Sequence, residues 1–170
     1  LPNKIDPFDM KTFQAYEGKY VIVTTDANTG ETCYFGKEDV DRQYNVLCAT
    51  CALPVFFPAI EIGGKKYYDG GLSNPIPIDK MVDDGNEKAL VVLTRPKGFR
   101  KECGKRDRMA AKMVYRKYPV IAEQLLTRYH KYNESVAICE QMEREGKVVI
   151  LRPEESIDSF ESDVEVLKKF

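Results

Sequence analysis

The sequence predicts an α/β fold with a mainly parallel sheet. Three observations carry this. Short β-branched or apolar runs at 19–25, 88–94 and 147–151 read as strands. Residues 119–143 repeat apolar side chains at helical spacing. Strands and helices then alternate along the second half of the chain, the pattern of a sheet built through helical crossovers.

Each element has a local reason. Lys19–Thr25 (KYVIVTT) is rich in β-branched residues. Asp26-Ala-Asn-Thr-Gly30 supplies turn residues, and 31–36 (ETCYFG) returns as a second strand. Residues 44–52 predict a short helix ending before Pro54, because the residue before proline avoids the helical region. Gly63-Gly64 sits between Ile62 and Tyr67-Tyr68, which predicts a tight hairpin over 60–68. Asn74-Pro75 reads as a helix start, with Asn as N-cap, Pro77 in the first turn and Gly85 as the stop.

Residues 88–94 (KALVVLT) are nearly all apolar, as for a strand covered on both faces. The basic segment 97–108 reads as a solvated loop leading into a helix rather than a phosphate or headgroup site. Ile121, Leu125, Tyr129, Tyr132, Val136 and Cys139 form the core-facing stripe of a long helix that ends at Gly146. Residues 147–151 (KVVIL) predict another buried strand, and a last helix covers about 161–169.

Composition narrows the function classes. The 170 residues fit a domain with a real core. They carry 26 basic and 27 acidic residues, a net charge of −1. That balance argues against a nucleic-acid partner and shows no polybasic signal for anionic membranes. No apolar run approaches the roughly 18 residues needed to span a bilayer. The opening Leu-Pro-Asn-Lys has no secretory character, and the absence of an initial Met suggests a processed or cut chain. Cys33, Cys48, Cys51, Cys103 and Cys139 read as reduced thiols in a cytoplasmic setting.

Most candidate chemical groups have a plainer explanation. His130, the sole histidine, lies beside the apolar stripe of the long helix and reads as a surface or boundary residue. No cysteine–histidine pattern completes a zinc site. Cys48 and Cys51 form a C-x-x-C, but late in a short helix rather than at its N-terminus, so two small core residues one turn apart is the simpler reading. Ser73, Ser135, Ser156, Ser159 and Ser162 all fall outside any G-x-S-x-G elbow. A G-x-G-x-x-G loop is also missing.

One constellation differs. Asp69 ends a predicted strand, Gly70 and Gly71 follow, and Asn74-Pro75 comes at once. Glycines there allow a sharp turn and the close approach of another backbone, with one of them expected at a dihedral closed to other residues. Taken alone, an Asx-turn aspartate would explain Asp69.

The wider pattern resembles the patatin-like phospholipases. It consists of Ala52-Leu53-Pro54, Phe57-Pro58, Tyr68-Asp69-Gly70-Gly71 and Asn74-Pro75, preceded by Val23-Thr24-Thr25-Asp26 and Thr29-Gly30. The likeness is good over about 1–100. It continues more loosely through Met113–Pro119 and Val149–Pro153, which look like bacterial members. Cys51 departs from the small residue common there, without chemical consequence.

The resemblance implies a three-layer α/β fold of which this chain is the C-terminal portion, with 1–100 as core and 101–170 as extension. It implies a lipid acyl hydrolase with a Ser–Asp dyad, Asp69 being the general base and Gly70 and Gly71 supporting it. The serine and the glycine-rich oxyanion loop belong to sequence that is not here, so the chain alone is expected to be inactive. A free aspartate is a poor base at neutral pH, and desolvation in a lipid-lined cleft would strengthen it. No cofactor or metal is implied. Expected partners are a lipid or ester substrate at a membrane surface, and either the missing N-terminal portion or a second copy. Two alternatives are an inactive binding or scaffold domain and a thiol–disulfide protein using Cys48 and Cys51.

Overall fold

The computed structural model describes residues 8–156 and 163–169. The chain divides into two compact units. One comprises residues 1–74 and 104–128, the other 75–103 and 129–170.

The first unit begins with helix α1 (Met10–Ala15), capped by Asp9, whose carboxylate accepts from the Thr12 backbone N–H and hydroxyl. Strands β1 (Ile22–Asp26) and β2 (Thr32–Phe35) form the expected hairpin. Helix α2 (Asn45–Thr50) ends before Pro54 as predicted. Asp41 organises its start by accepting from the Gln43 and Asn45 backbone and from the Asn45 side chain. Partial desolvation would raise the Asp41 carboxyl, but these donors outweigh it and hold the group below its ordinary value.

Strands β3 (Ile60–Ile62) and β4 (Lys65–Asp69) form the second hairpin. Its turn residues, Gly63 and Gly64, both take positive φ (57° and 78°), which glycine alone accepts without strain. β4 also pairs antiparallel with β1, Thr24 opposite Asp69 and Thr25 opposite Tyr68. The sheet order is β2-β1-β4-β3.

This corrects the expected parallel sheet. The connections within both hairpins are too short for a crossover, and short connections impose antiparallel pairing.

Residues alternate between the two faces of this sheet, and each face has its own core. Ile22 and Phe35 lie on one side with Val40, Val46, Leu47, Met10 and Phe13. Tyr68 lies on the other with Leu72, helix α4 (Lys105–Val114) and the start of helix α5 (Pro119–Arg144) through Ala111, Val114, Ile121 and Leu125. Gln124 donates to the carbonyl of Gly30 at 2.5 Å, tying α5 to the β1–β2 turn.

In the second unit, helix α3 (Ile78–Asp83) is shorter than expected. The predicted start at Asn74-Pro75 is wrong. Pro77 pushes Ile76 out of the helical region, so a helix begun at Pro75 cannot run through Ile76. Pro77 stands at the N-cap instead.

Strands β5 (Ala89–Val92) and β6 (Val148–Leu151) pair in parallel. Val148 and Ile150 are buried with Ile78, Leu93 and Cys139. Leu90, Val92, Val149 and Leu151 occupy the opposite face, and each is more than half exposed. The expectation of strands buried on both faces is therefore corrected.

Val136 and Cys139 on α5 are buried as its stripe predicted. Lys101, in the loop after β5, is held to α5 by Asn133, which accepts from the Lys101 N–H at 2.8 Å and donates to the Lys101 carbonyl at 2.9 Å. Helix α6 (Val164–Lys169) matches the described part of the last predicted helix, and 161–162 lie outside the described residues. Among the described residues no helix is long and apolar enough to cross a membrane.

Candidate active site

The site is built on the end of β4, where α2, β1 and the Asp69 turn are laced together. The Asp69 N–H donates to the carbonyl of Ala52 at 3.0 Å. The Thr25 hydroxyl donates to the Asp69 carbonyl at 2.9 Å. The Asp69 carboxylate is half-buried, and its Oδ1 accepts from the Gly71 N–H at 2.6 Å. That bond caps a 3₁₀ turn over Gly70–Leu72. It is charge-assisted and short, and it holds one carboxylate oxygen in a set direction.

The two glycines act differently from expectation. Neither has positive φ, so the predicted dihedral constraint is overturned. Gly70 is required by close approach, the other reason its position suggested. A Cβ there would lie 2.4 Å from the carbonyl oxygen of Val23. That carbonyl cannot move freely, because it accepts from the Thr50 hydroxyl at 2.6 Å. At Gly71 a Cβ would meet the Asp69 Oδ1 at 2.9 Å, against the same atom that the Gly71 N–H binds.

Ser73 is buried and shares a 2.8 Å hydrogen bond with the Thr25 hydroxyl. That bond links the turn to β1. Asn74 likewise locks the turn, its N–H donating to the Gly70 carbonyl at 2.8 Å and its amide to the Tyr34 hydroxyl at 3.1 Å. Ser135 and Ser156 are described and lie on α5 and after β6, while Ser159 and Ser162 lie outside the described residues. Tyr68, before Asp69, packs edge-on against Tyr118 at 5.5 Å. Burial, with Tyr118 next, pushes its hydroxyl up.

Cys48 and Cys51 are exposed free thiols, not the core pair expected. The apolar face of α2 is supplied by Val46 and Ala49, which turns both cysteines outward. Loss of water around the sulfur, then the charge of Asp69, raises the Cys51 thiol above its ordinary value. That is the opposite of an activated redox cysteine. His130 is exposed, its ring 3.9 Å from that of Tyr129. Among the described residues no group of three His, Cys, Asp or Glu could hold a metal ion.

Three features escaped sequence reading. Thr25 and Thr50 bind the backbone of the site, and Thr24 is fully buried on the Asp69 side with its hydroxyl unpaired among the described residues. The alternation across Val23-Thr24-Thr25-Asp26 already places the two threonines on opposite faces. The third is Val55, which takes φ 78° in the loop between α2 and β3. A β-branched residue in that region is strained by about 1–3 kcal/mol, and nothing in Leu-Pro-Val-Phe-Phe-Pro signals it.

The site thus places a strand-terminal aspartate on a tight Gly-Gly turn within a mixed α/β frame. Residues 5–82 match the family described as patatin-like phospholipase, and residues 118–170 match a domain of unknown function, DUF6363. The chain thus carries a patatin-like phospholipase region followed by the DUF6363 domain. No curated protein matches it.

Proposed function

We propose that this chain is the C-terminal portion of a lipid acyl hydrolase and supplies the base of its Ser–Asp dyad. The observation that carries the reading is Asp69. It sits at the end of β4 in the family-matched region, half-buried, with one oxygen held by the Gly71 N–H. A positioned carboxylate of this kind can accept the proton of a serine hydroxyl.

In the proposed reaction the serine oxygen attacks the ester carbonyl as its proton passes to Asp69. The alcohol leaves with a proton, and an acyl-enzyme remains. Water then loses a proton to Asp69 and releases the fatty acid, and the serine recovers its hydrogen. The serine and the donors that hold the oxyanion come from sequence outside these 170 residues.

The test is Asp69→Asn in the enzyme that contains both dyad members. Turnover of a short-chain nitrophenyl ester is expected to fall by about 10²–10⁴-fold. Near-normal turnover in a folded variant would sink the assignment. The isolated chain should show no turnover. Robust hydrolysis that is lost on changing Ser73, Ser135, Ser156, Ser159 or Ser162 would overturn the division of the dyad.

A further inference from the structure

We infer that Arg100, Tyr132 and Arg152, with Arg95 beside them, form a binding site for a phosphoryl dianion at the carboxyl ends of β5 and β6. All four residues belong to the second unit and lie outside residues 5–82, so the site stands apart from the hydrolase reading of Asp69.

Both strands of the parallel pair run into Arg-Pro, as Arg95-Pro96 after β5 and Arg152-Pro153 after β6. The ladder continues past β5, the Leu93 N–H donating to the Leu151 carbonyl at 2.8 Å. Arg95 and Arg152 therefore leave from the same end of the pair. That is the end at which parallel α/β sheets collect ligands.

Two aromatic rings gather the cations. Phe99 meets Tyr132 of α5 edge-on at 6.2 Å. The Arg95 guanidinium lies 5.3 Å from the centre of the Phe99 ring, and the Lys101 ammonium 5.7 Å from that of Tyr132. Arg100 and Lys101 fall in a basic segment whose sequence reads as solvated, yet both are anchored. Arg100 donates to Glu140 at 2.8 Å and to the Phe99 carbonyl at 2.9 Å, and Asn133 clamps the Lys101 backbone.

Arg152 points to a ligand. Its side chain is only 11% exposed. Among the described residues its carboxylate contacts are Glu140 at 3.4 Å and Glu143 at 3.9 Å. Charge-assisted bonds of this type are about 2.7–2.9 Å long. A guanidinium with five donors is thus taken largely out of water with slack partners, and Glu140 is shared with Arg100. Tyr132 is half-buried too, and its hydroxyl has no hydrogen-bond partner among the described residues. Burial pushes that hydroxyl up, while Arg95, Arg100 and Arg152 pull it back, so all three charges reach it.

The donor set selects the ligand. Guanidiniums and a phenol from three separate segments offer more donors than the two oxygens of one carboxylate can accept. A tetrahedral phosphoryl group brings more oxygens and two negative charges, and arginine matches its geometry.

The experiment is calorimetric titration of the 170-residue chain with inorganic phosphate, at an ionic strength held constant with sodium chloride. Saturable one-to-one binding is expected. Arg152→Gln should weaken it by roughly tenfold, the effect of losing a charged donor. Tyr132→Phe keeps the ring and its packing, and should weaken it by about threefold. Arg108→Gln, on α4, should bind like the parent. Phenyl phosphate separates the sources of the group. Tighter binding than phosphate assigns an organic phosphate ester, and equal binding assigns the free ion. A folded parent without saturable binding would overturn the proposal. So would parent-like affinity in both Arg152→Gln and Tyr132→Phe. An equal loss in Arg108→Gln would reduce the effect to general attraction by positive charge, and also overturn it. Binding that emerges only when Asp158→Asn is combined with Glu161→Gln would assign the cations to the chain's own acidic residues after Pro153, with the same result.

Discussion

The antiparallel sheet of the first unit is covered on both faces, whereas among the described residues the parallel pair of the second is covered on one. In the first, Ile22 and Phe35 meet one set of apolar residues and Tyr68 meets another. In the second, Val148 and Ile150 are buried while Leu90, Val92, Val149 and Leu151 face outward. The sequences run the other way from the usual rule. The covered sheet contains Thr24, Thr25 and Asp26, and the half-open one is almost wholly apolar. Strand composition records what a chain is suited to bury. Burial itself depends on which elements arrive, and most polar residues that enter a core are hydrogen-bonded, as Thr25 and Asp26 are, with the Thr24 hydroxyl an exception among the described residues.

The sharpest way to break this comparison is Gly70→Val. The new Cβ would fall on the Val23 carbonyl, so β1 and the turn would have to part. A loss above about 3 kcal/mol is expected, enough to unfold the first unit in urea titration. A modest loss would mean that the laced site yields easily.

Next in size is a contrast across the parallel pair. Ile150→Ala removes a buried side chain and should cost about 2–4 kcal/mol. Val149→Ala, its neighbour on the open face, should change stability by less than about 0.5 kcal/mol. Equal effects would show that the open face is covered in solution. Combined Leu90→Ser and Leu151→Ser should then reduce any self-association of the chain seen by light scattering, because the apolar strip is removed.

A smaller effect concerns pH. Burial would raise Glu140, but Arg100 at 2.8 Å and Arg152 at 3.4 Å lower it below its ordinary value of 4.5. A folded-state value below the unfolded one means that the group stabilises at neutral pH. That contribution is lost as pH falls below about 4.5, through the folded value. Glu140→Gln should therefore destabilise at pH 7 by about 1 kcal/mol and narrow the gap between pH 7 and pH 4. An unchanged acid profile would remove Glu140 from the account.

The smallest effect returns to the covered sheet. Thr24→Val replaces a buried, unpaired hydroxyl with a methyl and should raise stability by up to about 1 kcal/mol. A loss would show that the hydroxyl has a partner in solution.

Much of the local structure was legible. The Gly63-Gly64 hairpin, the helix before Pro54 and the long stripe from Ile121 to Cys139 follow from dihedral preference and periodicity, which act over a few residues. The helix start at Asn74-Pro75 was misread because a cap signal was weighed without the restriction that Pro77 places on Ile76. The sheet direction was misread because alternation of elements says nothing about which strands pair. Asp69 was visible through the order of motifs around it, while the reason for Gly70 depended on Val23, 47 residues earlier.

By itself the sequence determined the hairpins, the helix stripe, the balance of charge and the candidate base, since each is written in residues close together. Only the tertiary structure decided that Thr50, Val23 and Gly70 converge on one carbonyl, that Cys48 and Cys51 face outward, and that β5 and β6 leave a face open. Those outcomes depend on contacts between distant segments, and steric fit at such contacts has no local signature in the chain.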